Sequence, residues 1–305
     1  MPDRLGYFNG AWVKEEAVRV SAFDLSTMQG VAAFEMLRSF NKQHFKLPEH
    51  LARLRESCRL LLIPLPDDFE RLPSIIEELT ERNQDAFRAD DEYRLLLVVS
   101  PGCAPMYREI AGTIPHSYTY ATIFPLRYTV KGMGKWFTDG VDLTVSPFRQ
   151  FGDSFPCQAK HRSRLHFHLA QMSAKGAWPL MLDPNDFVSE LPGANLLLVK
   201  NNGLLIPDAL ALPGISQATA IEYCRRDATM SVERRPVRMT DVYAADEIWI
   251  TGTPFCALPV RTIDGILRLV GNPGRFYRWL IAQWSKAVGV DIAGQIQRWD
   301  AEAGC

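Results

Sequence analysis

One short basic segment, CQAKHRSRLHFHLA, contains the residue types with the clearest chemical potential. Six of the nine residues from Lys160 to His168 are basic or can become so. A lysine amine becomes a nucleophile when it loses its proton, and neighbouring cations favour that loss by like-charge repulsion. Lys160 also follows the apolar run VDLTVSPF and precedes a predicted helix over about 161–176. The pattern therefore favours Lys160, at a strand–helix junction, as a candidate for Schiff-base chemistry.

The same segment has other possible functions. His166 and His168 are two residues apart, which on a helix places them about 200° apart, so they cannot share a metal ion. None of the six cysteines forms a Cys-x-x-Cys pair, and the net charge of −1 predicts no broad basic surface. We therefore predict no metal site and no nucleic-acid partner. Leu165, Leu169 and Met172 are interpreted as the packing side of the helix, and the two histidines as bystanders.

The periodicities along the 305 residues predict an α+β protein with two domains. We place an N-terminal domain over 1–127, an interdomain linker over 128–136 and a C-terminal domain over 137–305. The linker, YTVKGMGKW, has two glycines and no apolar period, and its GMGK lacks the upstream glycine and the Ser or Thr of a phosphate loop. The apolar runs are too short to span a bilayer and the start shows no signal-peptide pattern. We expect a cytoplasmic protein with no membrane partner.

Three further segments carry groups that suit an anion or a protonated ring. LPGIS predicts a turn into a helix whose first residues, Ile215 and Ser216, present N–H groups to a phosphate. TGT at 251–253 follows a predicted strand and offers two hydroxyls. Glu190, in VSELPGAN, ends a short strand, and Asn195 follows five residues later. An acid at this position could hold a pyridinium N–H, although an ordinary cap, a turn or a solvated acid is the commoner meaning of each segment alone.

Taken in order, seven segments resemble the class IV (fold type IV) pyridoxal-phosphate enzymes. That family contains branched-chain aminotransferases, D-amino-acid aminotransferases, R-selective amine transaminases and aminodeoxychorismate lyases. The segments are YFNGAWV, AFEMLRSFNKQHFKLPEHLARL, AKHRSRL, FVSELPGANLLLVKNNGLLIP, LPGIS, YAADEIWITGT and PVRTIDG. The resemblance implies the two-domain α+β fold of the D-amino-acid aminotransferases, with pyridoxal 5'-phosphate between the domains. It also implies small-molecule amino and keto substrates, and usually a homodimer.

The resemblance assigns roles to individual residues. Lys160 would form the Schiff base with the cofactor and move the proton, and Arg53, in HLARL, would bind the phosphate. A carboxylate beside the pyridine nitrogen keeps the ring protonated and makes it an electron sink, and a guanidinium with a helix N-terminus holds a phosphate dianion. The other implied cofactor-binding residues are Glu190 beside that nitrogen, Asn195, Leu205 packed on the ring, and Ile215, Ser216 and Thr253 at the phosphate.

The chain departs from its relatives at several positions. Leu165 stands where transaminases of the family commonly have a tyrosine, and Lys-His-x-x-Arg-Leu resembles the lyases instead. The lyases, however, have a threonine where this chain has Met36. Gln29 stands where relatives commonly have another tyrosine, which suggests that the polarity of the substrate pocket differs from theirs. Pro254 follows Thr253 and has no N–H for a substrate carboxylate, which argues against ordinary branched-chain specificity.

Other residues are candidates for substrate binding. Arg38, Arg94 and Arg149 could each pair with a carboxylate, although a surface or inter-strand salt bridge is the commoner role. The remaining substrate candidates are Phe34, Met36, Leu165 and Pro254. We predict a PLP-dependent aminotransferase that moves an amino group between an amino acid or amine and a keto acid. The alternative is an aminodeoxychorismate-lyase-like enzyme that releases pyruvate, and a catalytically inactive relative is the third reading.

Overall fold

A computed structural model describes residues 4–152, 156–227, 230–269 and 273–303, without the side chains of Leu267 and Arg268. Chain contacts divide the protein into two units. The first contains Met1–Leu126 and Ala159–Arg164, and the second contains Arg127–Gln158 and Leu165–Cys305. Each unit combines helices with a sheet, so the α+β class is confirmed.

The first unit is built around six strands and three α-helices among its described residues. They are β1 (Leu5–Phe8), β2 (Ala11–Lys14), α1 (Leu25–Met28), β3 (Ala33–Phe40), β4 (Gln43–His44), α2 (Leu47–Leu60), α3 (Leu72–Asn83), β5 (Tyr93–Ser100) and β6 (Tyr118–Pro125). The strands form one antiparallel sheet in the order β2-β1-β6-β5-β3-β4. Asn9-Gly10 and Asn41-Lys42 have positive φ angles and close two hairpins.

The two faces of this sheet have different neighbours because successive side chains of a strand alternate in direction. Ala33 and Leu37 of β3, with Leu95 and Leu97 of β5, join the core formed with α2 and α3. The residues between them point to the opposite face, where Phe34, Val98 and partly buried neighbours form a separate cluster. This second face carries the chemistry described below.

The second unit surrounds a nine-stranded sheet. Its elements are α4 (Arg127–Val130), α5 (Trp136–Asp139), β7 (Val141–Val145), α6 (Leu165–Ser173), β8 (Trp178–Leu180), β9 (Glu190–Leu191), β10 (Ala194–Lys200), β11 (Gly203–Pro207), α7 (Ile215–Arg226), β12 (Ser231–Arg235), α8 (Met239–Tyr243), β13 (Glu247–Gly252), β14 (Cys256–Ile263), β15 (Leu267–Arg268), α9 (Arg275–Val288) and α10 (Ile292–Ala303). The main path is β12-β11-β10-β13-β14-β7-β8, with β9 beside β10 and β15 beside β14.

The division differs from the predicted one in two places. Ala159–Arg164 lies with the first unit, although the prediction assigned it to a C-terminal domain over 137–305. The proposed linker over 128–136 contains most of α4 and the first residue of α5. Asp300 of α10 accepts the N–H groups of Gly132 and Gly134, each at 2.7 Å. The two glycines therefore lie in a turn that Asp300 holds against α10 of the second unit.

The packing side of α6 was also predicted incorrectly. Leu165, Leu169 and Met172 are 68%, 37% and 70% exposed, whereas His166 and Phe167 are buried. The rings of these last two residues lie 4.0 Å apart. The helix begins at Leu165 instead of about 161, and a periodic aliphatic stripe does not reveal which side of a helix meets the core. His166 is thus a packed residue of the second unit.

Two buried histidines of the first unit should make the folded state less stable in acid. Burial lowers the pKa of His44 and of His161 from 6.5 to about 4. As pH falls from 6.5 to 4, the unfolded chain binds these protons and the native state does not. The free energy of unfolding should therefore fall by about 1.4 kcal/mol per pH unit for each histidine. Urea unfolding at several pH values in this range measures how the free energy of unfolding depends on pH. That dependence should be weaker by this amount in His44→Gln, and an unchanged dependence would contradict the assignment.

Candidate active site

Lys160 is carried by an extended segment that pairs with the beginning of β3. His161 and Ala33 form an antiparallel bridge, and the Phe34 N–H donates to the Lys160 carbonyl oxygen at 3.0 Å. The Lys160 N–H donates to Ser57 Oγ of α2 at 2.9 Å. Because these backbone groups have partners outside a helix, α6 starts later than predicted. The Lys160 Nζ lies 4.7 Å from the centroid of the Phe34 ring.

Arg53, the predicted phosphate ligand, lies on α2 beside a fully buried acid. Its Nε and Nη2 donate to the two Glu35 carboxylate oxygens at 2.7 and 2.8 Å. His50 Nδ1 is 2.7 Å from Glu35 Oε2. Burial alone would raise the pKa of Glu35, but Arg53 and His50 lower it to about 2. The ionised acid therefore fixes the orientation of the guanidinium plane.

Sequence reasoning missed this arrangement, although a signal was present. His50, Arg53 and Ser57 recur at i, i+3 and i+7 along α2, so one face of the helix is polar. Burial lowers the pKa of His50, so the ring is neutral at pH 7 and its Nδ1–H is the donor to Glu35. Polar side chains that recur on one face of a helix need hydrogen-bond partners when that face is buried.

In the second unit, the ELPGAN segment is a tight hairpin that places Glu190 opposite Asn195. Gly193 turns the chain with a positive φ of 88°. Glu190 is 5% exposed, and its Oε1 accepts the Gln150 Nε2–H at 2.8 Å. The Phe151 N–H donates to Gln150 Oε1 at 3.1 Å. Gln150, which sequence reasoning missed, therefore orients the Glu190 carboxylate.

Asn195 also holds the turn that precedes α7. Its Nδ2 donates to the Leu212 carbonyl oxygen at 2.9 Å. A Cβ on Gly214 would lie 1.9 Å from Asn195 Oδ1, so only glycine fits this approach. Gly214 is the N-cap and offers no side-chain acceptor to the first turn, where Ile215 and Ser216 lie. The N–H groups of that turn have no helical acceptor and suit an anion.

The remaining predicted cofactor residues occupy other parts of the second unit. Leu205 of β11 is 8% exposed and pairs with Leu198 of β10. Thr253 and Pro254 are half-buried in the turn that follows β13. Within β13, Thr251 is buried opposite Asn195. The hairpin of Glu190, the Asn195 clamp and the start of α7 thus form one connected group.

The predicted substrate residues of β3 share the second face of the first unit. Phe34, Met36 and Arg38 alternate along the strand, so they point to the same side. Arg38 is 1% exposed, and its Nε donates to its neighbour's carbonyl oxygen at 3.1 Å. Its guanidinium carbon lies 3.9 Å from the centroid of the Phe40 ring, so the group points away from Phe34.

Arg94 lies opposite Arg38 on β5, so the two side chains share one face of the sheet. Its Nη1 donates to the Met36 carbonyl oxygen at 3.3 Å, and its Nε has no hydrogen-bond partner among the described residues. Arg94 is 5% exposed. Burial and the like charge of Arg38 lower the pKa of Arg94 to about 9, which still leaves it protonated at neutral pH. A buried guanidinium with an unsatisfied donor calls for an anion.

Two predicted substrate residues of the second unit face solvent. Arg149 Nη2 is 2.7 Å from Asp186 Oδ1, and both side chains are largely exposed. This is the surface ion pair that was the commoner expectation for each arginine. Leu165 is exposed at the first position of α6.

Comparison with known proteins gives the family of the chain. The class IV aminotransferase model matches residues 32–263. A Methanocaldococcus jannaschii protein assigned as a branched-chain-amino-acid aminotransferase is 31% identical, over 87% of this chain and 89% of its own. The D-alanine aminotransferase of Bacillus licheniformis is 28% identical, over 88% and 91%. The Escherichia coli branched-chain aminotransferase structure superposes with a TM-score of 0.82 at 23% identity, over 96% of each chain.

The chain belongs to the class IV aminotransferase family and is a PLP-dependent aminotransferase. Its residues fit the cofactor. A glycine-lined turn leads into the uncapped start of α7, a buried carboxylate is held at Glu190, and the Lys160 amine lies on an aromatic ring. The comparisons do not favour the lyase alternative. Within the described ranges no helix has the length and apolar character of a membrane span, and no three metal-ligating side chains form a cluster.

Proposed function

We propose that Lys160 would hold the cofactor and that its Nζ would take up the proton from the substrate α-carbon. The backbone bonds to Phe34 and Ser57 fix the segment through main-chain atoms of Lys160. The bound cofactor supplies an electron sink for the pair of electrons left at that carbon. The apolar Phe34 ring beside the amine excludes water from the transfer.

We also propose the residues that make the remaining cofactor contacts. In the first unit, Arg53 binds phosphate, with its plane held by Glu35. In the second, the α7 N–H groups at Ile215 and Ser216 bind phosphate, with Thr253 beside them. Glu190 keeps the ring nitrogen protonated. Asn195 acts through the turn that it clamps, and Leu205 packs on the ring.

The substrate class follows from the buried Arg94 guanidinium. An ionised group at 5% exposure is costly unless it is paired, and its free Nε donor matches a carboxylate. We infer that one substrate pair is a dicarboxylic amino acid and its 2-oxo acid, with the distal carboxylate on Arg94. Because several relatives are named for branched-chain amino acids, an aliphatic amino acid is the first choice for the second pair.

Glutamate and norvaline test this proposal because they differ only in the distal carboxylate, which norvaline replaces with a methyl group. Glutamate alone should convert the loaded enzyme to its pyridoxamine form and release one equivalent of 2-oxoglutarate. Arg94→Gln should raise the KM for glutamate about 10- to 100-fold, since a hydrogen-bonded charge pair is lost, and leave norvaline unchanged. Equal effects on both donors would contradict the role of Arg94.

We also propose that the chain is a cytoplasmic homodimer. The exposed stripe of Leu165, Leu169 and Met172 on α6 offers an apolar surface that a second copy would cover. Cys58 and Cys224 are buried thiols outside any disulfide, as is usual in a reducing compartment. A monomer mass by light scattering would contradict the dimer.

A further inference from the structure

We propose that Arg162 binds the α-carboxylate of the substrate and thereby makes the enzyme select amino acids over simple amines. The inference rests on the proposed function, because it takes Lys160 as the group that acts on the α-carbon. Arg162 has no role in the cofactor contacts assigned above. It is a specificity-determining residue of the first unit.

The extended segment around Lys160 places Arg162 on the same side as the reactive amine. The segment pairs with β3 through a bridge at His161, and the Arg162 N–H donates to the Ala32 carbonyl oxygen at 3.1 Å. Side chains two residues apart on extended backbone point to the same face. Lys160 and Arg162 therefore share the face of Phe34, whereas His161 points to the other.

The cationic groups of Lys160 and Arg162 both lie over the Phe34 ring. The Arg162 guanidinium carbon is 4.2 Å and the Lys160 Nζ 4.7 Å from the Phe34 centroid. The two groups are therefore no more than about 9 Å apart. The α-carboxylate is one bond from the carbon that Lys160 must reach, so this separation suits a substrate held by both groups.

The guanidinium of Arg162 is prepared for a planar anion. Among the described residues, no hydrogen bond or ion pair from its side chain is present, and its guanidinium carbon lies over the Phe34 ring. A guanidinium that stacks on a ring keeps its in-plane N–H donors available for a carboxylate. Tyr120 lies on the same face of the sheet, because it is paired with Val98, the partner of Phe34.

The charges of this face support an anionic ligand. In β3, β5 and β6, no Asp or Glu occupies a position on the face of Phe34, whereas Arg38 and Arg94 do. Arg94 pairs with Arg38, four residues beyond Phe34, which is about 13 Å along β3 at about 3.3 Å per residue. The Arg162 guanidinium lies nearer to the Phe34 ring than that of Arg164, at 4.2 Å against 5.9 Å, and Arg94 is the distant arginine.

Three amino donors, glutamate, norvaline and 4-aminopentanoate, distinguish the role of Arg162 from that of Arg94. Norvaline keeps only the α-carboxylate of glutamate, and 4-aminopentanoate keeps only the distal one. Arg162→Gln should lower kcat/KM for glutamate and norvaline by about 30-fold or more and leave 4-aminopentanoate unchanged. Arg162→Lys should recover part of the loss, since a point charge replaces the bidentate fork. Arg59→Gln, which alters an exposed arginine paired with Glu56, should match wild type with all three donors.

The outcomes are distinguishable. A loss of equal size on all three donors, or no loss with norvaline, would overturn the role of Arg162. Unchanged cofactor absorbance and unchanged thermal unfolding in Arg162→Gln would show that a selective loss comes from substrate binding. If the wild-type enzyme failed to react with any of the three donors, the proposed dicarboxylate function would fall, and this inference with it.

Discussion

Lys160→Ala is expected to lower kcat for transamination by roughly 10⁴-fold. Proton transfer by a positioned side chain alone contributes up to about 10⁴-fold, and the substitution also removes the attachment to the cofactor. The backbone bonds to Phe34 and Ser57 use main-chain atoms of Lys160, so alanine retains them and the fold should persist. Single-turnover formation of the pyridoxamine form measures the loss, and circular dichroism measures the fold.

Two controls separate this effect from a general loss of charge. Lys200→Ala removes a lysine of β10 that pairs with Asp246 at the surface, and it should leave kcat unchanged. Added methylamine should restore part of the activity of Lys160→Ala by supplying an amine. If Lys160→Ala kept more than a tenth of the wild-type rate, another group would be carrying the proton.

Glu190→Gln is expected to have the second largest effect, a fall in kcat of about 10²- to 10³-fold. An amide cannot keep the ring nitrogen protonated as a carboxylate does, so the electron sink weakens. Removing one preorganised electrostatic group from an active site typically lowers kcat by about 10²- to 10³-fold. The substitution keeps the side-chain shape, and the new amide oxygen can still accept the Gln150 Nε2–H. The buried packing of the second unit should therefore survive.

The protonation of the cofactor gives a readout that a structural defect would not reproduce. The absorbance of the bound cofactor should titrate at lower pH in Glu190→Gln than in wild type. Glu233→Gln changes an exposed acid of β12 that pairs with Arg235, and it should leave both the titration and kcat unchanged. Wild-type kcat in Glu190→Gln would mean that a different group holds the ring nitrogen.

Local signals accounted for much of the fold. The Asn9-Gly10 pair is a typical hairpin signal and closes the first hairpin, and LPGIS predicted the start of α7 at Ile215 within one residue. These features depend on neighbours in sequence, where turn chemistry and periodicity act. The segment around Lys160 was predicted as helix because its pairing with β3 and with Ser57, 103 residues away, leaves no local trace.

Candidate site residues could be named from the sequence where their own chemistry identifies them and not where a distant partner defines them. Lys160 and Glu190 stood out by type and position. Gln150 did not, because its importance comes from a hydrogen bond to a residue 40 positions away. Arg162 was one basic residue among six until the alternation of an extended segment placed it beside Lys160. Non-local pairing is the information that single-residue patterns lack.

Borohydride reduction of the loaded enzyme followed by peptide mass mapping tests directly whether Lys160 holds the cofactor. We expect one phosphopyridoxyl group per chain, on the peptide that contains Lys160 and on no other lysine. A label on a different lysine, or a loaded protein that takes no label, would contradict it.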